Sequence, residues 1–438
     1  MTILPSLLIQ IFMKMMTIRI KNIYSKFLAM SMFALFAGFA AHAQTTYEWP
    51  SFHGADRTNR SAETGLLKTW PAEGPRLIQT IPGIGEGYSS VAIAGGMIFT
   101  AGSVSSQPFL YAFDLNGKLV WKKPVGRAWS TTMSWASAYT GPRSTPTYDK
   151  GVIYFLGEMG LLVALDAKTG KEIWQVDLVK EYDAPPTDYG YSESVLIDGN
   201  KLYVRPAGKK GHQVCLDKNT GKLIWANTQI PGAEGYTSPV VADILGVRQV
   251  IGGSSVCYYG ADAATGKLLW KVDAVNGQSL NINNVIVQGN NIFISTGYGL
   301  GCMLYRLSLK GSEIVPGKIW SAAIMDNNHG GVVYHNGHVY GSGSNTRGWY
   351  CIDYMTGEQK WRSGSDEGTI TFADGMLYAL DQRGTLKLLK ASPEKYEAAG
   401  SFRLPSGGKG NYWAHPVVCN KRLYIRHDDK IFVYDVGA

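Results

Sequence analysis

The chain has 438 residues, 45% apolar and only 17% charged, with 52 glycines, 25 tyrosines and 12 tryptophans, a balance that suits a turn-rich all-β protein. Its formal charge is +8, and the first 43 residues supply four of those positive charges with no acid. The remainder has no run of more than two adjacent basic residues, so a nucleic-acid or anionic-membrane partner has no electrostatic footprint here.

Residues 1–43 read as an export signal. Lys14, Arg19, Lys21 and Lys26 precede an apolar run at 27–40, FLAMSMFALFAGFA, and then Ala41-His42-Ala43. A basic region, an apolar core and small residues at the cut form the secretory pattern, with cleavage expected after Ala43. The run falls short of the ~20 residues that span a bilayer, so no transmembrane anchor is expected after cleavage. A periplasmic or secreted location follows, with a single domain over 44–438. Within it, 44–73 form an N-terminal extension and 74–82, GPRLIQTIP, an orphan strand.

A repeat then takes over. It reads AFDLNGKLVW ending at Trp121, ALDAKTGKEIW at Trp174, CLDKNTGKLIW at Trp225, GADAATGKLLW at Trp270 and CIDYMTGEQKW at Trp361. A degenerate copy, GKIW, ends at Trp320, and KASPEKYEAAGSF has lost its tryptophan. In the full copies a strand ends at Asp166, Asp217, Asp262 or Asp353, whose short carboxylate can bond the amides of a turn. Gly170, Gly221, Gly266 and Gly357 then supply the φ > 0 conformation of a tight hairpin. Two more short strands precede each copy, giving four-stranded antiparallel blades.

Blades of this period bury their faces by stacking around an axis. Trp121, Trp174, Trp225, Trp270, Trp320 and Trp361 are expected as structural wedges between neighbours. Seven strand sets and three C-terminal strands leave one place for the orphan strand. The count is an eight-bladed all-β propeller closed by pairing of its two ends, which removes free sheet edges. The alternative is seven blades, with one degenerate copy misread.

The loops between blades gather around one mouth of the channel and are rich in rings, amides and acids. They carry Glu86 and Tyr88; Trp129, Trp135 and Arg143; Asp188, Tyr189 and Tyr191; then Glu234 and Tyr236. Asn283 and Asn284, Asn328 and His329, Asp366 and Glu367, and Lys409, Trp413 and His415 continue the set. Such a funnel suits a polar organic ligand, a sugar or a quinone, and its oxygens suit Ca²⁺. Five cysteines lie scattered singly, no two adjacent, and read as small buried strand residues. His335 and His338 flank a hairpin turn and would need further ligands to hold a metal.

The A-x-D-x-x-T-G-K-x-x-W motif resembles the tryptophan-docking repeat of pyrroloquinoline quinone (PQQ) dehydrogenases. It is similar too to the propeller lipoprotein of the outer-membrane β-barrel assembly machinery, which binds partners without a cofactor. Exported PQQ-binding-like β-propeller repeat proteins share stretches like WPSFHGADRTNRSAETGLLKTWPAEGP (49–75), GEGYSS (85–90), NNHGGVVYHNGHVYG (327–341) and WAHPVVCNKRLYIR (413–426). The resemblance implies the fold; activity must come from a site. Family dehydrogenases hold the quinone over adjacent cysteines, which are absent here. The first expectation is therefore a binding or scaffolding module whose funnel takes a protein or a glycan. The second is an oxidoreductase of alcohols or sugars that uses PQQ and Ca²⁺.

Overall fold

The computed structural model describes residues 47–438 apart from 135, 186 and 330. The expected export signal at 1–43 and Trp135 lie outside the described residues. Eight sheets form, each built on four antiparallel strands; seven take theirs consecutively from the chain, and one of those carries Arg60–Ser61 as a fifth, parallel strand. Blade 1 is Ala92–Ala94, Met97–Val104, Gln107–Asp114 and Leu119–Pro124, and the later blades repeat this plan. Blade 8 takes Leu77–Pro82 as its outer strand, antiparallel to Lys430–Asp435. That pairing closes the ring, as the orphan strand requires, and the count is eight.

Both degenerate copies are blades. The GKIW copy ends blade 5, where a ten-residue pair, Gly301–Lys310 with Glu313–Ala322, replaces the short Asp/Thr-Gly turn. The copy without tryptophan ends blade 7 at Ala398–Arg403.

The repeat motif has a physical reading in the contacts. Asp217 Oδ1 accepts the amides of Asn219 and Thr220, and Asp166, Asp262 and Asp353 cap their turns in the same way. The capped turn then seats the tryptophan of the preceding blade. Trp174 Nε1 donates to Lys218 O at 2.9 Å, and Trp121, Trp225, Trp320 and Trp361 make the same bond into the next blade. The turn glycine lies under the indole: a Cβ on Gly221 would sit 2.8 Å from the Trp174 ring.

Trp270 departs from the pattern. Its ring packs between blades 4 and 5, but Nε1 turns back to Gln249 Oε1 at 2.7 Å in its own blade. The long hairpin of blade 5 has no capped turn to receive it.

Around the axis, hydroxyls tie one blade to the next. Ser90 N donates to Thr145 Oγ1, Thr145 N to Ser194 Oγ, and Ser194 N to Ser238 Oγ at 2.8–3.2 Å. Ser90 Oγ closes toward blade 8 through His415 O at 2.8 Å.

The segment at 49–63 enters the channel as a finger. Trp49 exchanges both backbone bonds with Ile93 at 2.8 Å, and Pro50 O accepts Tyr148 N, at the lower ends of blades 1 and 2. Its tip reaches the upper ends of blades 3 and 4, where Arg57 donates to Ser194 O, Pro239 O and Val195 O. The chain then descends, with Arg60–Ser61 parallel to Phe372–Ala373 on the inner edge of blade 7. Glu63 leaves it pinned to the amides of Asn420 and Lys421. His53, Arg57 and Asn59 adopt positive φ and are buried, strain that these bonds offset.

Candidate functional site

The loops from the outer strand of one blade to the inner strand of the next gather at the upper mouth, above the finger. Trp413, in the 404–416 loop, is the centre. The His329 ring lies parallel to it at 4.3 Å, Tyr139 stacks at 4.9 Å and Tyr88 tilts against it at 5.2 Å. Gln382 Oε1 accepts the Trp413 indole N–H at 3.2 Å, and Gln382 donates in turn to Glu367. Glu367 thus holds the residue that holds Trp413.

Arg143 organises the opposite wall. Its guanidinium donates to Tyr189 O at 2.7 Å and Tyr139 O at 2.6 Å, and it lies 5.1 Å from the centre of the Trp129 ring. Tyr189 bridges Trp129 and Tyr236 at 6.4 and 5.9 Å. Tyr88, Tyr139 and Tyr189 are half-buried, with ring surface left for a ligand to stack on, and Trp413, stacked on His329 and Tyr139, backs that wall.

Charges at the rim pair with each other. Glu86 accepts Lys409 Nζ at 2.7 Å and Thr140 Oγ1 at 2.7 Å. The Lys409 bond first, and the Thr140 bond second, hold its carboxyl below the usual range. Asp366 pairs with Lys387 at 2.6 Å, and Asp188 is exposed beside Tyr189.

Beneath the rings lies a buried layer. His415 Nε2 meets His329 O at 2.7 Å, which makes that nitrogen the donor; Nδ1 then accepts from His53 Nε2 at 2.9 Å. Both imidazoles are neutral in this arrangement, and burial pulls His329 and His415 down to about 4. Glu158 accepts Trp129 N at 3.0 Å and Ser103 Oγ at 3.2 Å. Glu193 faces Arg205 at 3.4 Å, with both side chains almost wholly buried. Burial pushes the Glu193 carboxyl up to about 7 despite Arg205, and Glu234 up to about 8.

Three expected mouth residues lie elsewhere. Tyr191 is buried between blades 2 and 3, and its hydroxyl donates to Pro206 O at 2.9 Å. Asn283 braces neighbouring backbone, donating to Ser295 O and Asn327 O and accepting from Gly331 N. Asn284 lines a separate cavity on the lower side, against the finger. Asn328 is at the mouth, but its Oδ1 is buried and fills the space over Gly297. Sequence reasoning missed His53, Arg57, Glu158, Glu193 and Gln382, whereas Tyr139 belongs to the same aromatic loop as Trp129 and Arg143. Only the 49–75 stretch had drawn notice, for its resemblance rather than as a finger.

The residues at the mouth do not fit PQQ with Ca²⁺. The recess that Trp413 shares with His329, Ser342, Glu367 and Gln382 has a volume of about 10 Å³, against the ~300 Å³ or more of small-molecule pockets. The Trp413 ring is stacked on the protein's own rings, and Glu86, Glu158, Asp366 and Glu367 each have a donor. Among the described residues, no three of His, Cys, Asp and Glu are placed to hold a metal ion. His335 instead meets Arg60 at 3.4 Å, and His338 bonds Asn336 O. All five cysteines are buried and unpaired. No helix among the described residues is long and apolar enough to cross a membrane.

Fold and site define an eight-bladed, tryptophan-docked β-propeller with a stoppered channel and an aromatic mouth. The PQQ_2 family model, described as outer membrane protein assembly factor BamB, matches residues 106–363, and the chain belongs to that family. Quinohemoprotein alcohol dehydrogenase ADH IIB of Pseudomonas putida is 30% identical over 145 residues, 31% of this chain and 21% of that protein. Quinoprotein alcohol dehydrogenase PedH of P. putida is 29% identical over 145 residues, 31% and 24% of the two. The match thus spans under a quarter of each relative's length. Among solved structures, BamB from Moraxella catarrhalis superposes with a TM-score of 0.54 at 16% identity, covering 82% of this chain and 97% of that one. Quinohemoprotein alcohol dehydrogenase from Comamonas testosteroni gives 0.60 at 12% identity, covering 91% and 82%. These likenesses concern fold.

Proposed function

We propose that the protein is an exported binding module whose upper mouth recognises a glycan, or a protein segment, through half-buried rings. The observation that carries this is the aromatic wall of Tyr88, Tyr139, Tyr189 and Trp413 gathered around Arg143. Sugar C–H faces and exposed side chains stack on such rings, while paired rim charges such as Lys409 and Glu86 exchange hydrogen bonds with hydroxyls. The buried His53–His415 layer closes the mouth from below, so binding comes from one side. A glycan array probed with the labelled protein, together with pull-downs from envelope extracts, tests the reading. Binding that is lost in Trp413→Ala and Tyr189→Ala supports it; binding that both variants retain sinks it.

A second reading, an oxidoreductase of alcohols or sugars, is favoured by the names of the quinoprotein relatives. If the quinone were bound it would supply hydride acceptance from a substrate hydroxyl. The closed recess at Trp413 argues for the binding module instead.

A further inference from the structure

Blade 7 has lost the tryptophan of its repeat, and the strand register shows what stands in that position. In blades 2, 3 and 6 the docking tryptophan follows a one-residue bulge in the outer strand. It then pairs with the third strand, Trp174 with Ala164, Trp225 with Cys215 and Trp361 with Cys351. Ala398–Arg403 of blade 7 keeps the same bulge, and there Gly400 pairs with Leu388. Gly400 therefore holds the docking position and has no side chain to offer.

An indole is nevertheless present. Trp70, from the N-terminal extension, lies so close that a Cβ on Gly400 would sit 2.7 Å from Trp70 Cβ and 3.0 Å from Trp70 N. In other blades the docking ring faces the third residue of the second strand. Tyr154 meets Trp174, Tyr203 meets Trp225 and Tyr340 meets Trp361 at 5.9–6.0 Å and 42–47°. Tyr378 has that place in blade 7, and Trp70 meets it at 5.7 Å and 56°. Trp70 is 7% exposed, in a core shared by blades 7 and 8.

The hydrogen bond is replaced as well. Docking indoles donate to the carbonyl of the residue after the turn aspartate, Trp174 to Lys218 O and Trp225 to Ala263 O. In blade 8 the matching aspartate is Asp435, but the outer strand is Leu77–Pro82, so no hairpin turn follows to receive an indole. The next carbonyl, Val436 O, accepts Leu67 N at 2.9 Å, and Trp70 Nε1 has no hydrogen-bond partner. On the blade 7 side, Lys68 pairs with Asp374 at 2.7 Å and Trp70 N donates to Ala399 O at 3.2 Å.

We propose that residues 65–70 are a strap that supplies the wedge blade 7 lacks, and that its release opens the ring between blades 7 and 8. Trp70 replaces the docking ring and the Leu67 amide replaces the indole N–H. In blades 1 to 6 the wedge belongs to the outer strand of its own blade and cannot leave without unravelling it. Here wedge and blade are separate pieces of chain, joined by a few bonds beside exposed Lys68 and Thr69, the kind of element from which local opening starts. The strap leads into Leu77–Pro82, so its release also frees the strand that closes blade 8. This device is separate from the upper mouth and does not rest on the glycan reading.

Hydrogen exchange followed by mass spectrometry on the full protein tests it. Trp70→Ala should speed exchange across 65–70, 77–82 and 398–403 by on the order of a hundredfold, and leave 213–217 in blade 3 unchanged. Gly400 does not have a left-handed φ, so a tryptophan can be placed there. Gly400→Trp alone should expel the strap, because there is room for one wedge. Combined with Trp70→Gly, it should return 398–403 to within about tenfold of the parent rate. The parent gives a reading that needs no variant: 65–70, 77–82 and 398–403 should open together, at lower denaturant than 213–217. Three results would each overturn the proposal: exchange at 398–403 unmoved by Trp70→Ala, no recovery when Gly400→Trp is added to Trp70→Gly, or 65–70 fraying by itself in the parent.

Discussion

Replacing Gly221 by alanine isolates what the repeat glycine does. Gly221 has φ +70°, and an added Cβ would lie 2.8 and 3.0 Å from Trp174 Cε3 and Cδ2. Gly199, in the same blade, has φ +62° and nothing within 4 Å of an added Cβ. Both substitutions carry the left-handed strain, about 1–2 kcal/mol, partly offset by about 0.4–1 kcal/mol from a stiffer unfolded chain. Only Gly221→Ala also overpacks the indole, worth a further ~1–3 kcal/mol. Urea unfolding followed by tryptophan fluorescence should therefore place Gly199→Ala about 1 kcal/mol below the parent and Gly221→Ala about 2–4 kcal/mol below it. Adding Trp174→Ala should erase the difference between the two glycine sites. If Gly221→Ala and Gly199→Ala unfold at the same urea concentration, the seat under the indole is not what the motif glycine supplies.

Glu234→Gln should flatten the pH dependence of stability. With its folded carboxyl raised to about 8, above the ~4.3 of a free glutamate, the native state binds a proton that the unfolded state lacks. That stabilisation is full below the unfolded pKa and is lost as pH rises through 8. The parent melting temperature should therefore fall between pH 6 and 9 more steeply than that of the variant, which keeps only the smaller fall from Glu193, raised to about 7; parallel curves would refute the burial argument. His329 and His415 work the other way, since folded values near 4 make stability fall as pH drops from the usual ~6.5 toward 4. Arg57→Met strips three carbonyls of their charged donor and should cost at least ~3 kcal/mol in urea unfolding. A loss under ~1 kcal/mol would mean that the finger does not hold the ring.

What could be read from the sequence was local and periodic. The Asp cap, the glycine and the tryptophan lie within a dozen residues and recur, so the blade, its turn and its wedge were legible together. Ring closure followed from counting strands. Trp270 also packs between its own blade and the next; only its N–H partner, Gln249, was not legible, because the turn of the next blade lies where the repeat is degenerate. The finger escaped because Arg57 bonds Ser194, 137 residues away, with no period to announce it. Asn283 and Asn284 illustrate a finer limit. They lie just before the strand Ile286–Gln288, where no periodicity says which braces backbone and which lines a cavity. At the mouth, loop composition gathered Tyr88, Arg143, Tyr189, His329 and Trp413 correctly, while Gln382 and Glu158, in turns within blades, gave no such signal.

The measurement that separates the two functional readings is a calorimetric titration of the protein from Gln44 onward with PQQ, in the presence and absence of Ca²⁺. A binding module with a packed Trp413 predicts no saturable heat while the protein remains folded. One quinone bound per chain, and only with Ca²⁺, would contradict it and make the mouth a cofactor site.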